Sequence, residues 1–360
     1  MRKLFWTLFL VCDLLLVAAF LLGYSAWYVP PATLWWPGLF ALVLPYLSLA
    51  VVLALVFVLA TRRWILVALH TVLLVLILIR FAPVRAVAGA LQPEPGDFRI
   101  MTFNLPGPDL VGATAAARAN ALEALVDVEE PDLIGLQEIH LYMTPKKLGL
   151  SDHIRVISRE KGYTYARPAH ITRTVLIPQP VAGKVAFGPL ELIPLHHTVP
   201  AVEKVSVVRT PFTWQGRGAV HYNVHLQSYH APDSDTKDVG SITPRAWLRR
   251  LAGSKQAFMA RAQEAEQIHR MISREKLPVI ISGDFNDIPH SWAYHRIAQG
   301  MTDTFKAAGS GWGATWHARI PLFRIDFILA SPEWEIVSAH VPDVVLSDHR
   351  PLVARLRWRE

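Results

Sequence analysis

The chain has one cysteine, Cys12, among 360 residues. No internal disulfide is possible, and no site built from several thiolates. Charge is scarce as well, at 18% of residues, and the scarcity is uneven. Leu34 to Ala60 carries none, Trp64 to Ile79 carries none, and Leu4 to Val29 carries only Asp13. The formal net charge of +7 comes mostly from the flanks of these stretches. Of 36 basic and 29 acidic residues, six and one fall in residues 1–90, which leaves 30 against 28 for the remainder. That remainder lacks the basic footprint of a protein that holds nucleic acid by its phosphates. Internal repeats and low-complexity tracts are missing too.

What the chain does have is long apolar runs. A helix needs about 20 apolar residues to cross a bilayer. The first two stretches reach that length, and the third approaches it, extending to Val84 if Arg80 turns its head toward water. Residues 1–84 are therefore expected to form a membrane region of three transmembrane helices, 85–97 a linker, and 98–360 the soluble domain. Arg2, Lys3, Arg62 and Arg63 mark cytoplasmic ends by the positive-inside rule. Tyr24, Trp27, Tyr28, Trp35 and Trp36 surround the uncharged loop Pro30 to Thr33, as an interfacial aromatic belt does. Three spans place the soluble part outside the cytoplasm, at a bacterial inner membrane. The weak point is the third stretch, interrupted by His70; without that span the domain is cytoplasmic. Asp13 is costly within a span and is read as tolerated near the surface or beside another helix.

After the Pro/Gly segment "LQPEPG" the pattern becomes that of a globular domain. "FRIMTFNL", Phe98 to Leu105, alternates as a strand does. Thr114 is a candidate cap for a helix to about Glu130, with Leu122, Leu125 and Val126 on one face. Asp132 to Gln137 reads as a strand. Lys204 to Thr210 and Ala219 to Leu226 read as a pair turning at "WQGRG". Tyr229 to Ser254 is a polar insertion of the kind that is functional or disordered. Gln256 to Ser273 is an amphipathic helix, and Pro278 to Ser282, Phe323 to Ala330 and Leu352 to Trp358 are further strands. Strands and helices mix without regular alternation, which favours a layered α/β sandwich over a barrel.

Polar residues recur where the apolar runs end: Asn104, Glu138, His225, Asp284 with Asn286, Asp326, and Asp348 with His349. Along an extended chain, residues two apart point to one side, so Asp284 and Asn286 are expected to face one target. A carboxylate accepts hydrogen bonds or binds a cation, and an amide also donates. Each residue has a plainer reading. Asn104 and Asp284 suit turns, Glu138 suits solvent, and His225 suits a satisfied core position. Asp326 suits a pair with Arg324 or Arg319, and Asp348 suits a turn cap.

Taken in order, "FNLPG", "DLIGLQE", "NVHLQS", "SGDFND", "RIDFIL" and "SDHRPL" resemble the endonuclease/exonuclease/phosphatase superfamily, from Phe98 to Trp358. The stretch "GWGATWHARIPLFRIDFIL" is similar to bacterial members with N-terminal membrane helices. The resemblance implies a four-layer α/β sandwich, two packed mixed β-sheets flanked by helices. It implies Glu138 as the main metal ligand, with Asn104 nearby and Asp348 a further ligand. His349 would activate a water, oriented by Asp326. Asp284 and Asn286 would hold the water and a phosphoryl oxygen, and His225 would bind phosphate or protonate the leaving group. Branches of the family differ over whether Asp284 or His349 is the base. An oxygen-rich ligand set without cysteine suits Mg²⁺ or Mn²⁺. The expected activity is that of a membrane-anchored, divalent-metal-dependent phosphoester hydrolase acting on a lipid headgroup or small phosphoester. The alternative is a nuclease. Trp312, Trp316, Ile320, Leu322 and Phe323 would meet a lipid in the first case and stack on bases in the second. A non-catalytic phosphate-binding module is a third reading, opposed by the intact residue set.

Overall fold

The computed structural model describes residues 1–81, 91–105, 115–143, 148–150, 161–199, 205–229 and 244–360. Four helices lead the chain: α1 (Arg2–Ser25), α2 (Pro37–Leu42), α3 (Leu44–Ala60) and α4 (Trp64–Phe81). At about 1.5 Å per residue, α1 is roughly 36 Å long and α4 roughly 27 Å, and both are long and apolar enough to cross a membrane. The second apolar stretch departs from expectation, because it is two helices. The chain breaks at Val43, and Pro37 and Pro45 each sit in a first helical turn. Proline has no N–H to give and its ring clashes with a preceding turn, so it is tolerated at a helix start and resets the helix there.

Phe20, Leu44, Val51, Leu73 and Ile77 pack together inside this bundle. Asp13 is buried there and lies 3.0 Å from Nε2 of His70 on α4. It stands beside a neighbouring helix, one of the two settings expected. His70 Nδ1 lies 2.9 Å from the Leu66 carbonyl, and a carbonyl only accepts, so that nitrogen carries a proton.

The soluble part supplies β1 (Phe98–Asn104), α5 (Ala115–Glu129), β2 (Leu133–Gln137), β3 (Leu141–Met143), β4 (Leu148–Leu150), β5 (Thr164–Tyr165), β6 (Val175–Ile177) and β7 (Val181–Gly183). Then come β8 (Ala186–Phe187), β9 (Glu191–Pro194), β10 (Ser206–Trp214), β11 (Arg217–His225), α6 (Pro244–Ile272) and β12 (Val279–Asp284). The chain closes with α7 (Trp292–Ile297), β13 (Thr302–Asp303), α8 (Thr304–Ala308), β14 (Asp326–Ala330), β15 (Trp334–His340) and β16 (Leu352–Trp358). One sheet runs β15-β16-β1-β2-β7-β5 and the other β13-β14-β12-β11-β10-β8, with β9 on β10. A small third sheet, β4-β3-β6, stands beside them.

The layers follow from alternation. In β1, Phe98 and Ile100 enter the core between the sheets, while Met101 and Phe103 face α5 with Leu122, Leu125 and Val126. In the second sheet, Ala219, Ile280 and Ile328 face that same core, and Val220, Ile281 and Phe327 face Ala265 and Ile268 of α6. The result is helix, sheet, sheet, helix: the sandwich expected. Gly283 lets β12 lie against β11. Its φ is +142°, and a Cβ there would stand 1.9 Å from the Val224 carbonyl oxygen.

One expectation shifts, and two fall outside the described residues. α6 begins at Pro244 rather than Gln256, so part of the polar insertion is helical and residues 230–243 lie outside the described residues. The Thr114 cap lies outside them as well, as do residues 85–90 of the expected linker.

The helical bundle seats on the sandwich through one end. Trp27 donates Nε1 to the Pro289 carbonyl at 2.8 Å and stacks on His295 at 4.4 Å. Arg63 lies at the other end, its guanidinium 4.1 Å from the Trp6 ring.

Candidate active site

The space between the sheets changes character along the strands. At one end it is lined by Phe98, Leu133, Ala219 and Ile280. Two to four residues further on it is polar and buried, with Thr102, Gln137, His221, Asn223 and Ser282. At the far end stand Asn104, His225, Asp284 and Asp326, placed by the same period of two. β1 and β2 run parallel, β11 and β12 run parallel, and β14 starts where β12 ends, with Asp284 opposite both His225 and Asp326.

Asn104 ties the two sheets together at this end. Its Nδ2 donates to Glu138 Oε1 at 3.0 Å and to Asp284 Oδ2 at 2.9 Å. Strand alternation alone would turn Glu138 toward α5. Instead its φ of +60° turns the chain at the end of β2, at a cost on the order of 1–2 kcal/mol for a non-glycine residue. Such strain is kept where the surroundings over-determine it, often at functional sites.

Asp284 and Asn286 do share the site, but not through extended geometry. Asn286 has φ +47°. Its N–H donates to Asp284 Oδ1 at 2.7 Å and its Nδ2 to the Leu226 carbonyl at 2.9 Å. His349 Nδ1 lies 2.9 Å from Asp326 Oδ2, and its Nε2 is 3.7 Å from Asp284 Oδ2. His225 Nε2 is 3.7 Å from both Glu138 Oε1 and Asp284 Oδ2.

Two plainer readings fail on this geometry. Arg324 is engaged twice by Asp303, at 2.9 and 2.8 Å, and not by Asp326. The histidine sealed in the core is His221, 0% exposed, whose Nε2 meets Ser282 Oγ at 2.8 Å, rather than His225. Asp348 stands apart from the bridged group. Its carboxylate accepts from Trp316 Nε1 at 3.4 Å and from Ser347 Oγ at 3.2 Å.

Electrostatics follow burial and neighbours. Burial disfavours a charged imidazole at His349, yet the Asp326 and Asp284 carboxylates outweigh it and hold the pKa up at about 10. Burial pushes the Asp284 carboxyl up, against the pull of His349. His221, with no such partner, is pushed down to about 3 by burial alone.

Asp284, Asp326 and His349 present ligand-type atoms within 4.8 Å of one another. His349 Nδ1 and Asp326 Oδ2 are spent on each other, which makes the trio a proton-handling arrangement rather than a closed metal cage. An oxygen site lies beside it. Asn104 Oδ1 is buried and accepts no hydrogen bond among the described residues, next to a Glu138 carboxylate that is 38% exposed. These are oxygen donors of the kind a hard divalent cation takes.

Sequence reasoning missed the groups that hold this site in place. Gln137 Nε2 donates to Asn223 Oδ1 at 2.6 Å, and Asn223 Nδ2 to the Leu136 carbonyl at 3.0 Å, stitching the sheets together beneath it. Arg261 of α6 is fully buried. Its Nε donates to Asp287 at 3.1 Å and its Nη1 to the Gln227 carbonyl at 2.9 Å. It thereby braces the segments that follow Asn286 and His225. The signal was present: Arg261 and Glu264 stand at core positions of an otherwise alanine-rich helix face.

Residues 101–349 match the model of the Endonuclease/Exonuclease/phosphatase family, and residues 2–84 match that of a domain of unknown function. No curated protein matches the chain by sequence. Among solved structures, an endonuclease/exonuclease/phosphatase from Bacteroides vulgatus is 21% identical, over 73% of this chain and 99% of its own, with a TM-score of 0.50. A family protein from Bacteroides thetaiotaomicron is 16% identical over 74% and 100%, with a TM-score of 0.51. A mannosyl-6-phosphatase from that species is 17% identical over 72% and 100%, also at 0.51. At these identities the likeness is one of fold.

Proposed function

The chain belongs to the endonuclease/exonuclease/phosphatase family, and from that premise we propose that it is a membrane-anchored, divalent-metal-dependent phosphoester hydrolase acting on a lipid headgroup or another small phosphoester. The observation that carries the reading is the bridge from Glu138 through Asn104 to Asp284, with the Asp326–His349 pair against it. It sets a cation-binding carboxylate beside a proton-handling pair.

Glu138 and the free oxygen of Asn104 would hold Mg²⁺ or Mn²⁺, with Asp348 a further candidate. Such an ion supplies offset for phosphate charge and lowers the pKa of a bound water. Asp326 fixes His349 by its Nδ1, which leaves Nε2 facing Asp284. One of the two, Asp284 or His349, takes the proton from the attacking water, and Asp326 orients the imidazole in either case. Asn286 spends one amide hydrogen on Leu226 and keeps the other for a phosphoryl oxygen. His225, between two carboxylates, is placed to bind the phosphate or to protonate the leaving oxygen.

The membrane part of the reading rests on α1, α3 and α4, on basic residues at one end of the bundle and on aromatic residues with the catalytic domain at the other. That arrangement supports a domain outside the cytoplasm, at a bacterial inner membrane. Trp312, Ile320 and Leu322 are exposed, and Trp312 lies 6.5 Å from Tyr46 of α3, so the apolar loop stands beside the helices. A lipid substrate is supported by that placement. Trp316 and Phe323 are half-buried and pack on each other instead.

The deciding experiment is a substrate panel with the full chain in detergent and Mg²⁺: phospholipid headgroup esters and small phosphoesters against single- and double-stranded DNA. Turnover of the first group over DNA is expected. DNA cleavage with no headgroup or small-ester turnover would make the chain a nuclease instead.

A further inference from the structure

A second charged site lies where the helices meet the sandwich. A cleft of about 370 Å³ opens between the ends of α1, α3 and α4 on one side and the segments around His290, Lys306 and Arg324 on the other. None of its lining residues belongs to the catalytic group described above.

Arg80, in the last turn of α4, is only 4% exposed. Its Nη2 donates to the Tyr24 carbonyl at 3.0 Å, and its guanidinium lies 3.7 Å from the Trp27 ring. Among the described residues its Nε and Nη1 have no hydrogen-bond partner. Among the described residues no carboxylate pairs with Arg80 or with Lys306. The one acid near them, Asp303, is consumed by both Arg324 nitrogens, by the Tyr294 hydroxyl at 2.6 Å and by the Lys306 backbone N–H. His290, buried against Phe81 at 4.7 Å, leaves Nδ1 unpartnered.

A buried guanidinium with two idle donors is unfavourable, because a buried charge is costly unless it is paired. Two cations, Arg80 and Lys306, thus face a cleft without counter-charge. Burial, together with the Arg324 and Arg80 charges and against the pull of Asp303, pushes the Lys306 ammonium down, in keeping with a site short of an anion.

We propose that this cleft seats the phosphate of an anionic phospholipid, held by Arg80 and Lys306, and that the lipid fastens the catalytic domain to the helical bundle. The proposal rests on the membrane reading above, but not on the catalytic one. The lipid source follows from position. The cleft lies at the level of Tyr24, Trp27 and Tyr28, the aromatic belt that marks the headgroup layer. Beside it Trp312 and Leu322, 60% and 46% exposed, offer apolar surface to acyl chains. Guanidinium suits phosphate through paired N–H donors.

The test uses the full chain extracted from membranes. Resistance to carbonate extraction checks the membrane reading first and separately. Native mass spectrometry then follows retained phosphatidylglycerol against phosphatidylcholine, with melting temperature as a second readout and inorganic phosphate as the soluble competitor. Phosphatidylglycerol retention at least tenfold above phosphatidylcholine is expected, with a raised melting temperature. Lys306→Gln and Arg80→Gln should each erase most of that preference. Lys306→Gln lies on the soluble side and keeps the test open if Arg80→Gln fails to fold. Glu138→Ala should retain the lipid, which separates this site from the fate of the hydrolase reading. Equal retention of both lipids, or an undiminished preference in Lys306→Gln, overturns the proposal. Full replacement of the lipid's effect by millimolar phosphate overturns the lipid source.

Discussion

Arg261→Met should strand a carboxylate. Arg261 is 0% and Asp287 2% exposed, and they meet at 3.1 Å. Burial already pushes the Asp287 carboxyl up; without the guanidinium only hydrogen bonds from the Ile288 N–H and Ser291 offset it. Breaking such a buried pair costs about 3–5 kcal/mol. The lost bond to the Gln227 carbonyl adds about 1 kcal/mol, which places the variant at the top of that range. Replacing both partners, Arg261→Met with Asp287→Leu, should cost less than Arg261→Met alone, because no charge is left unpaired. Catalysis should fall in both, since Asp287 follows Asn286 and Gln227 lies just past His225. Denaturant unfolding of the full chain in detergent, followed by tryptophan fluorescence, measures the cycle. Single variants each costing under about 1 kcal/mol, or a double variant equal to their sum, would refute the reasoning.

His221 has a folded pKa of about 3, below the roughly 6.5 of an unfolded histidine. Between those values only the unfolded chain binds the proton, so its contribution is full above about pH 6.5 and falls by about 1.4 kcal/mol per unit as pH drops. His221→Gln should flatten stability between pH 7 and 5; parallel loss in both proteins would clear His221. Asp326→Asn and His349→Ala should each lower kcat by about 10²–10⁴-fold per folded molecule, with the folded fraction taken from the melting curve because the pair is buried. A normal rate for either removes that residue from the mechanism. Alkaline phosphatase fused after Glu360 should be active and a cytoplasm-dependent fluorescent fusion dark; the reverse pair would put the domain in the cytoplasm.

The strands that carry the site were legible because each is an apolar run with one polar residue at its end, and alternation turns Asn104 inward from one sheet and His225, Asp284 and Asp326 inward from the other. Glu138 and Asn286 were legible as residues but not as geometry. Both sit at positive φ, which no periodicity reports. The split of the second apolar stretch had a signal in Pro37 and Pro45 that hydropathy overrode. β15 (Trp334–His340) escaped because its burial follows no clean alternation and its register slips against β16 between Ile336 and Ser338. Arg261 escaped because a charged residue in an amphipathic helix is ordinarily solvated. Only the partner on a distant loop, Asp287, makes it a core residue.

The central claim is that Glu138, held by Asn104 at the junction of the two sheets, is part of a metal-dependent hydrolytic site. Hydrolysis of a generic phosphodiester by the full chain, with Mg²⁺ and with EDTA, for wild type and Glu138→Ala, tests it most directly. Turnover that requires the added ion and nearly vanishes in Glu138→Ala is the predicted result. Full turnover in EDTA, or a Glu138→Ala rate equal to wild type, would contradict it.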